Sequence, residues 1–170
     1  AKLTEPHADL MERLDAITGV GPRTVEVILA EIGPSVESWS SAKKLASWAC
    51  LCPGNHESAG KRKSGKRRKG QKWLVSALVE AAWAASRTKD TYLAAQFHRL
   101  RARRGPKRAA MAVAHSILTI VYHLLDDPKA KFEDLGGDFL LKRNKEQEQR
   151  RAVKTLQTLG FDVALTPIAV

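Results

Sequence analysis

Strand-like alternation is almost absent from this chain of 170 residues; only 161–165 hints at it, which argues against a sheet-built fold. Cysteine is scarce too. Cys50 and Cys52 have a single residue between them, poor spacing for a disulfide, so a reducing interior is expected rather than a disulfide scaffold. The first residues lack the apolar core of a signal peptide. The longest apolar stretch, 109–125, is broken by His115, Ser116, Thr119 and His123 and reads as too short to cross a bilayer. These absences point to a soluble cytoplasmic protein with no membrane partner. The last shortage is local. Between residues 58 and 110 the only acids are Glu80 and Asp90, against sixteen Lys and Arg. The outer segments do not share the excess: 1–57 hold five cations and eight acids, and 111–170 hold eight of each. The whole net charge of +11 therefore sits in the middle third, and it calls for a polyanionic partner.

What is present is helix. A hydrophobic fraction of 44% over this length suits one domain with a small appendage and argues against disorder. Leu10, Leu14 and Ile17, then Val25, Ile28, Leu29 and Ile32, follow helical spacing, with Gly33-Pro34 closing the second run. Ser41 is placed to cap a short helix reaching Trp48. Further helices are predicted at 71–87, 90–104 and 142–159, and a buried central helix from Gly105-Pro106 to Leu125, ended by Asp127-Pro128. Residues 54–70 have no apolar period and carry Gly60, Gly65 and Gly70, so they read as a loop or loose hairpin. The fold class expected is all-α. A helix-hairpin-helix segment (1–38) precedes a helical core (39–126) with a long basic loop (54–70), and a helical tail (127–170) follows.

Two features carry candidate chemistry. The first is L-x-x-I-T-G-V-G-P-R-T-V-E-V-I, which resembles the helix-hairpin-helix motif of DNA-binding proteins. Gly19, Val20 and Gly21 form a tight turn, and Arg23 and Thr24 stand at the start of the next helix. Free N–H groups there favour phosphate and hold the DNA backbone without reading bases. The alternative is an ordinary helical hairpin. Val25 is larger than the alanine usual at that place and predicts slightly wider helix spacing. A base-excision glycosylase is not supported: the hairpin has Pro22-Arg23 in place of a lysine, and no aspartate occurs between Asp15 and Asp90.

The second feature is H-E-S-A-G-K-R-K-S-G-K-R-R-K-G, where Lys61, Arg62, Lys63, Lys66, Arg67, Arg68 and Lys69 crowd behind Ser58. Gly60-x4-Gly65-Lys66 imitates a phosphate-binding loop, but Arg67 replaces the hydroxyl that would meet magnesium and no strand precedes it. The plain reading is a solvated nucleic-acid-binding arm. The sharper one is catalytic. A serine attacking a phosphodiester must lose its proton while charge builds on the non-bridging oxygens, and surrounding cations favour both changes. Ser58 precedes Ala59 and Gly60, small enough to let a DNA backbone approach; Ser64 is the competing candidate.

The segment S-A-K-K-L-A-S-W-A-C-L-C-P-G-N-H-E-S-A-G-K-R-K-S-G-K-R-R-K-G, the upstream hairpin and A-V-A-H-S-I-L-T-I-V-Y-H-L-L together resemble the C-terminal domain of the insertion-sequence one-ten transposase family, over about residues 10–140. The tail R-A-V-K-T-L-Q-T-L-G-F-D-V is similar in a less specific way. The resemblance implies a bacterial, nucleoid-associated recombinase that cuts and rejoins DNA through a 5′-phosphoserine link at Ser58, without ATP. It implies DNA partners (insertion-sequence ends and target), a guide (bridge) RNA and a homo-oligomer in the full-length protein. It also implies a RuvC-like half whose acidic residues hold magnesium; that half is not in these residues, and no cofactor is expected here. Cys50 departs from the family pattern, which has glycine.

Other residues carry plainer expectations. Cys50, Cys52 and His56 fall short of a zinc site and read as small apolar cysteines beside a histidine. His115 and His123 are eight apart, too far for a helical metal pair, and suit core or capping roles. Trp39, Trp48, Trp73 and Trp83 follow apolar stripes and are expected in the core. Glu80 is offered as an acceptor for the basic loop. The competing function is a non-catalytic helix-hairpin-helix nucleic-acid-binding module.

Overall fold

Pro106 begins, and Asp127 ends, the longest helix among the described residues, which runs through the core. The computed structural model describes residues 7–54, 56–65, 68, 70–143 and 145–166. Its helices are α1 (Ala8–Asp15), α2 (Pro22–Ile32), α3 (Ala42–Trp48), α4 (Lys72–Ala85), α5 (Tyr92–Arg104), α6 (Pro106–Asp126), α7 (Phe139–Arg143) and α8 (Lys145–Thr158). One antiparallel hairpin, β1 (His56–Ser58) with β2 (Lys61–Ser64), interrupts them. The fold is all-α as expected. The strand suspected at 161–165 is not formed.

The helix ends follow local chemistry. Pro22 and Pro106 sit in first turns, where a missing N–H costs nothing. Ser41 accepts from the Lys44 amide, and Thr91 from that of Ala94. The predicted last helix, 142–159, falls on α8 and the end of α7, which lie on either side of residue 144, outside the described residues.

Along α6, Val113, Ala114, Ile117, Leu118 and Val121 are buried against a cluster that includes Leu45 of α3, Leu74 and Leu78 of α4, and Leu93 and Phe97 of α5. Leu14, Val25 and Ile28 belong to the same cluster, so the core runs unbroken across residue 38. At 21 residues α6 exceeds the apolar run read from the sequence and, by length and composition, is long enough to cross a membrane. More than half of its apolar window (56%) is buried inside the domain, as a core helix requires.

Arg13, which no sequence pattern singles out, closes the end of α6. Its Nε donates to the Ala130 carbonyl at 3.0 Å, and its Nη2 donates to the carbonyls of Leu124 and Asp127. A guanidinium at a helix C-terminus satisfies orphan carbonyls and opposes the helix dipole. Replacing Arg13 by Met is expected to cost about 1–3 kcal/mol, because the part-buried bonds to the Ala130 and Leu124 carbonyls lose a charged donor that is itself largely enclosed. Urea unfolding checks it; an unchanged midpoint would remove Arg13 as a cap.

The tail is tied by Asp134, whose carboxylate accepts from the Thr18 hydroxyl and from the backbone N–H groups of Tyr92 and Gly136. Beyond it, the hydrogen bond from Lys142 holds the exposed Asp138 carboxyl below the usual carboxylate range.

Candidate active site and nucleic-acid interface

The basic loop starts from a helix end built with the wrong residue. After α3 the Leu51 amide donates to the Ala46 carbonyl and the Cys50 amide to that of Ser47, the two bonds of a Schellman ending. That ending needs a left-handed residue, and Cys50 takes it with φ +56°. Glycine is the usual occupant, so the departure noted in the sequence falls where a side chain costs about 1–2 kcal/mol. The side chain is nevertheless used. A Cβ added to Gly70 would stand 2.5 Å from the Cys50 Cβ and 2.7 Å from the Ala49 carbonyl oxygen. Cys50 and Gly70 thus close the two feet of the loop on each other. Gly70→Ala is expected to force them apart and to cost about 1–3 kcal/mol by overpacking, read as a lower melting temperature and faster tryptic cleavage of the loop. Unaltered melting and cleavage would show that the feet need not touch.

Between the feet the chain forms a hairpin and not an open loop. Ser58 pairs with Lys61 and Glu57 with Arg62. Only Ala59 and Gly60 separate the strands, both left-handed at φ +50° and +71°, the sign pattern of a type I′ turn. Gly60 suits this left-handed turn, whereas Ala59, like Cys50, takes a left-handed backbone at a cost of about 1–2 kcal/mol. The next pair is His56 with Ser64, which leaves Lys63 as an extra residue and bends the hairpin.

Ser58 is exposed at the end of β1, and exposed Lys61 lies directly across, with Cβ atoms of such pairs about 4.5–5.5 Å apart. Arg68 leans back on α3, its Nη2 donating at 3.4 Å to the Ser47 carbonyl. Lys66, Arg67 and Lys69 lie outside the described residues, as do the side chains of Arg62, Lys63 and Ser64.

The glycine turn is elsewhere. Gly19 (φ +84°) presses against α4: a Cβ there would meet the Ala81 carbonyl oxygen at 2.4 Å and the Ala85 nitrogen at 2.5 Å. This glycine permits helix contact, so close approach of phosphate is not what requires it. Val20 is buried, which withdraws its side chain from any DNA contact. Gly21, where an added Cβ would meet nothing within 4 Å, and the adjacent Arg23 and Thr24 remain available at the open start of α2. Exposed Arg23 pairs with Glu26 at 2.9 Å, a surface contact that a phosphate could displace. Gly19 meets the Ala85 end of α4, whereas the basic loop enters at its Lys72 end, about 20 Å away by helix rise. The two predicted DNA-binding features thus stand at opposite ends of α4.

A model described as the Transposase IS116/IS110/IS902 family matches residues 11–99, a span containing the glycine turn, the basic hairpin and α4. The chain belongs to this family. It is also similar to "Putative transposase y4pF/y4sB" of Sinorhizobium fredii (strain NBRC 101917 / NGR234), 31% identical over 131 residues, covering 73% of this chain and 34% of that protein. The chain thus spans about a third of the length of this relative.

Several expectations change within this transposase-family domain. Trp73 is 69% exposed, while Trp39 packs at a tilt against Trp48 and Trp83 against Phe97. The helical wheel held the signal: Trp73, Glu80 and Ala84 share the outer face of α4, opposite Leu74, Leu78, Ala81 and Ala85. Glu80 is exposed there too, which removes it as an anchor for the loop. Of the two roles expected for His123, its exposed place in the last turn of α6 fits capping and not the core. Cys50 is buried and Cys52 half-buried, with no disulfide. Among the described residues no three His, Cys, Asp or Glu side chains gather to hold a metal. At the Gly105 corner Arg101, Arg103, Arg104, Lys107 and Arg108 are all exposed.

Proposed function

We propose that this chain is the DNA-binding, nucleophile-bearing C-terminal domain of an insertion-sequence transposase, with Ser58 as the attacking group. The observation that carries the reading is the placement of Ser58: exposed, at the mouth of a type I′ hairpin, across from Lys61, in a segment where sixteen cations face two acids. The Ser58 Oγ attacks a DNA phosphorus and its proton passes to a base. The new Oγ–P bond forms as the P–O3′ bond breaks, and the departing 3′ oxygen takes up a proton. One phosphodiester replaces another, so rejoining needs no external energy source. The cations of the hairpin stabilise the charge that develops on the non-bridging oxygens. Gly21, Arg23 and Thr24 hold a second stretch of backbone at the far end of α4.

A RuvC-like half, its magnesium-binding carboxylates, a guide RNA and oligomeric assembly complete the proposal for the whole protein. Covalent trapping in the full-length protein tests the reading: DNA should remain attached after denaturation with Ser58 present and be released when it is replaced. Equal trapping by both proteins would refute it.

A further inference from the structure

Trp73 is the one large apolar side chain before residue 130 that is left exposed among the described residues. It stands in the first turn of α4, four positions beyond Lys69 and next to Lys72, whose Nζ lies 5.7 Å from the centre of the indole ring. The other three tryptophans are at least partly packed into the domain. An indole offers a flat apolar ring face and a single N–H donor. Its surroundings narrow the choice of partner. A protein surface would have to be strongly acidic to tolerate seven cations within positions 61–69 as neighbours. A nucleic acid supplies both halves of the match, phosphates for the cations and a flat base for the ring. A base inside an intact duplex hides its faces in the stack, so only an unpaired or extruded base can lie on the indole.

We infer that Trp73 is a stacking platform for an unpaired nucleobase beside the phosphate held by the basic hairpin. This deepens the proposed function and rests on it, since strand exchange exposes unpaired bases next to the cut. The platform would hold the opened strand in line with Ser58 without reading sequence, because every base has a π-face. Trp73 is thus assigned as a binding residue for the strand and has no part in moving protons.

The test compares oligothymidine with a fully paired duplex of the same length, using the chain and its Trp73→Ala and Trp73→Phe variants. Oligothymidine is expected to quench the tryptophan emission of the parent. Trp73→Ala should weaken oligothymidine binding about five- to 100-fold and lose most of the quenching, while Trp73→Phe keeps most of the affinity. Duplex affinity and the salt slope for both probes should stay within about two-fold of the parent, because the phosphate contacts are untouched. Since the side chain is exposed, melting should be unchanged, which separates loss of stacking from loss of fold. Trp73→Ala binding oligothymidine as tightly as the parent would overturn the inference while leaving the DNA reading in place. Failure of the parent to bind either probe at low salt would overturn the DNA reading itself.

Discussion

Ser58→Ala in the full-length transposase is expected to abolish the covalent protein–DNA species while leaving DNA affinity within about two-fold, because one exposed hydroxyl contributes little beside the phosphate contacts of the cations. The two readouts must part company. A nucleophile cannot be replaced by its neighbours: without Oγ there is no atom to take the phosphorus, whatever the charge around it. Ser64→Ala is the control. Ser64 sits on β2, across from His56, and the turn residues Ala59 and Gly60 do not adjoin it. Its removal is expected to leave adduct yield unchanged. Loss of adduct in Ser64→Ala but not in Ser58→Ala would move the chemistry to β2. A drop in DNA affinity parallel to the loss of adduct would make Ser58 a contact residue only.

Gly19→Ala is expected to be the most damaging single change to the fold. Two costs fall on one atom. The added Cβ would stand 2.4 Å from the Ala81 carbonyl oxygen and 2.7 Å from the Ala85 Cβ, contacts with backbone and with a methyl that cannot swing away. At φ +84° the residue is also in the region that L side chains avoid, at about 1–2 kcal/mol. With overpacking at about 1–3 kcal/mol, a loss of about 2–5 kcal/mol follows, a large share of the stability of a domain this size. Calorimetry or urea unfolding reads it directly. Gly21→Ala is the contrast, because space around Gly21 is open and its φ is −125°, so stability should change by less than about 1 kcal/mol. Equal stability of Gly19→Ala and the parent would show that α2 and α4 can move apart at no cost.

The pair also shows what the sequence made legible. Gly19 and Gly21 mark a helix-to-helix turn by their identity alone, and the turn is where the pattern put it. Which of the two glycines serves packing and which leaves an open helix start depends on α4, more than 60 residues away, and no local pattern carries that. Helix ends set by local chemistry, such as Ser41, Pro22, Pro106 and Asp127, fall where expected, since propensity and capping act within a few residues. Long-range partners do not. Arg13 meets carbonyls more than 110 positions further along the chain, with nothing in its neighbourhood to announce them.

In the candidate site, charge and the small residues after Ser58 are visible in the sequence, but the hairpin is not. Its strands are polar on both faces, so they lack the alternation by which a half-buried strand is recognised, and the turn Ala59-Gly60 is not one of the Asn-Gly or Asp-Gly pairs that signal type I′. Trp73 is misplaced for a different reason. Residue type outweighs phase in that expectation, although its phase with Glu80 already sets it on the outer face of α4.

The most direct measurement is a tryptic peptide map of the trapped protein–DNA complex after nuclease trimming. Trypsin cuts after Lys44, Lys61, Lys63 and Lys66, so Ser58 travels in the peptide 45–61 and Ser64 in the separate peptide 64–66. Fragmentation should place a 5′-phosphonucleotide on Ser58 within 45–61. A nucleotide on Ser64, on Ser47, or on a residue elsewhere in the protein would contradict the assignment of the nucleophile.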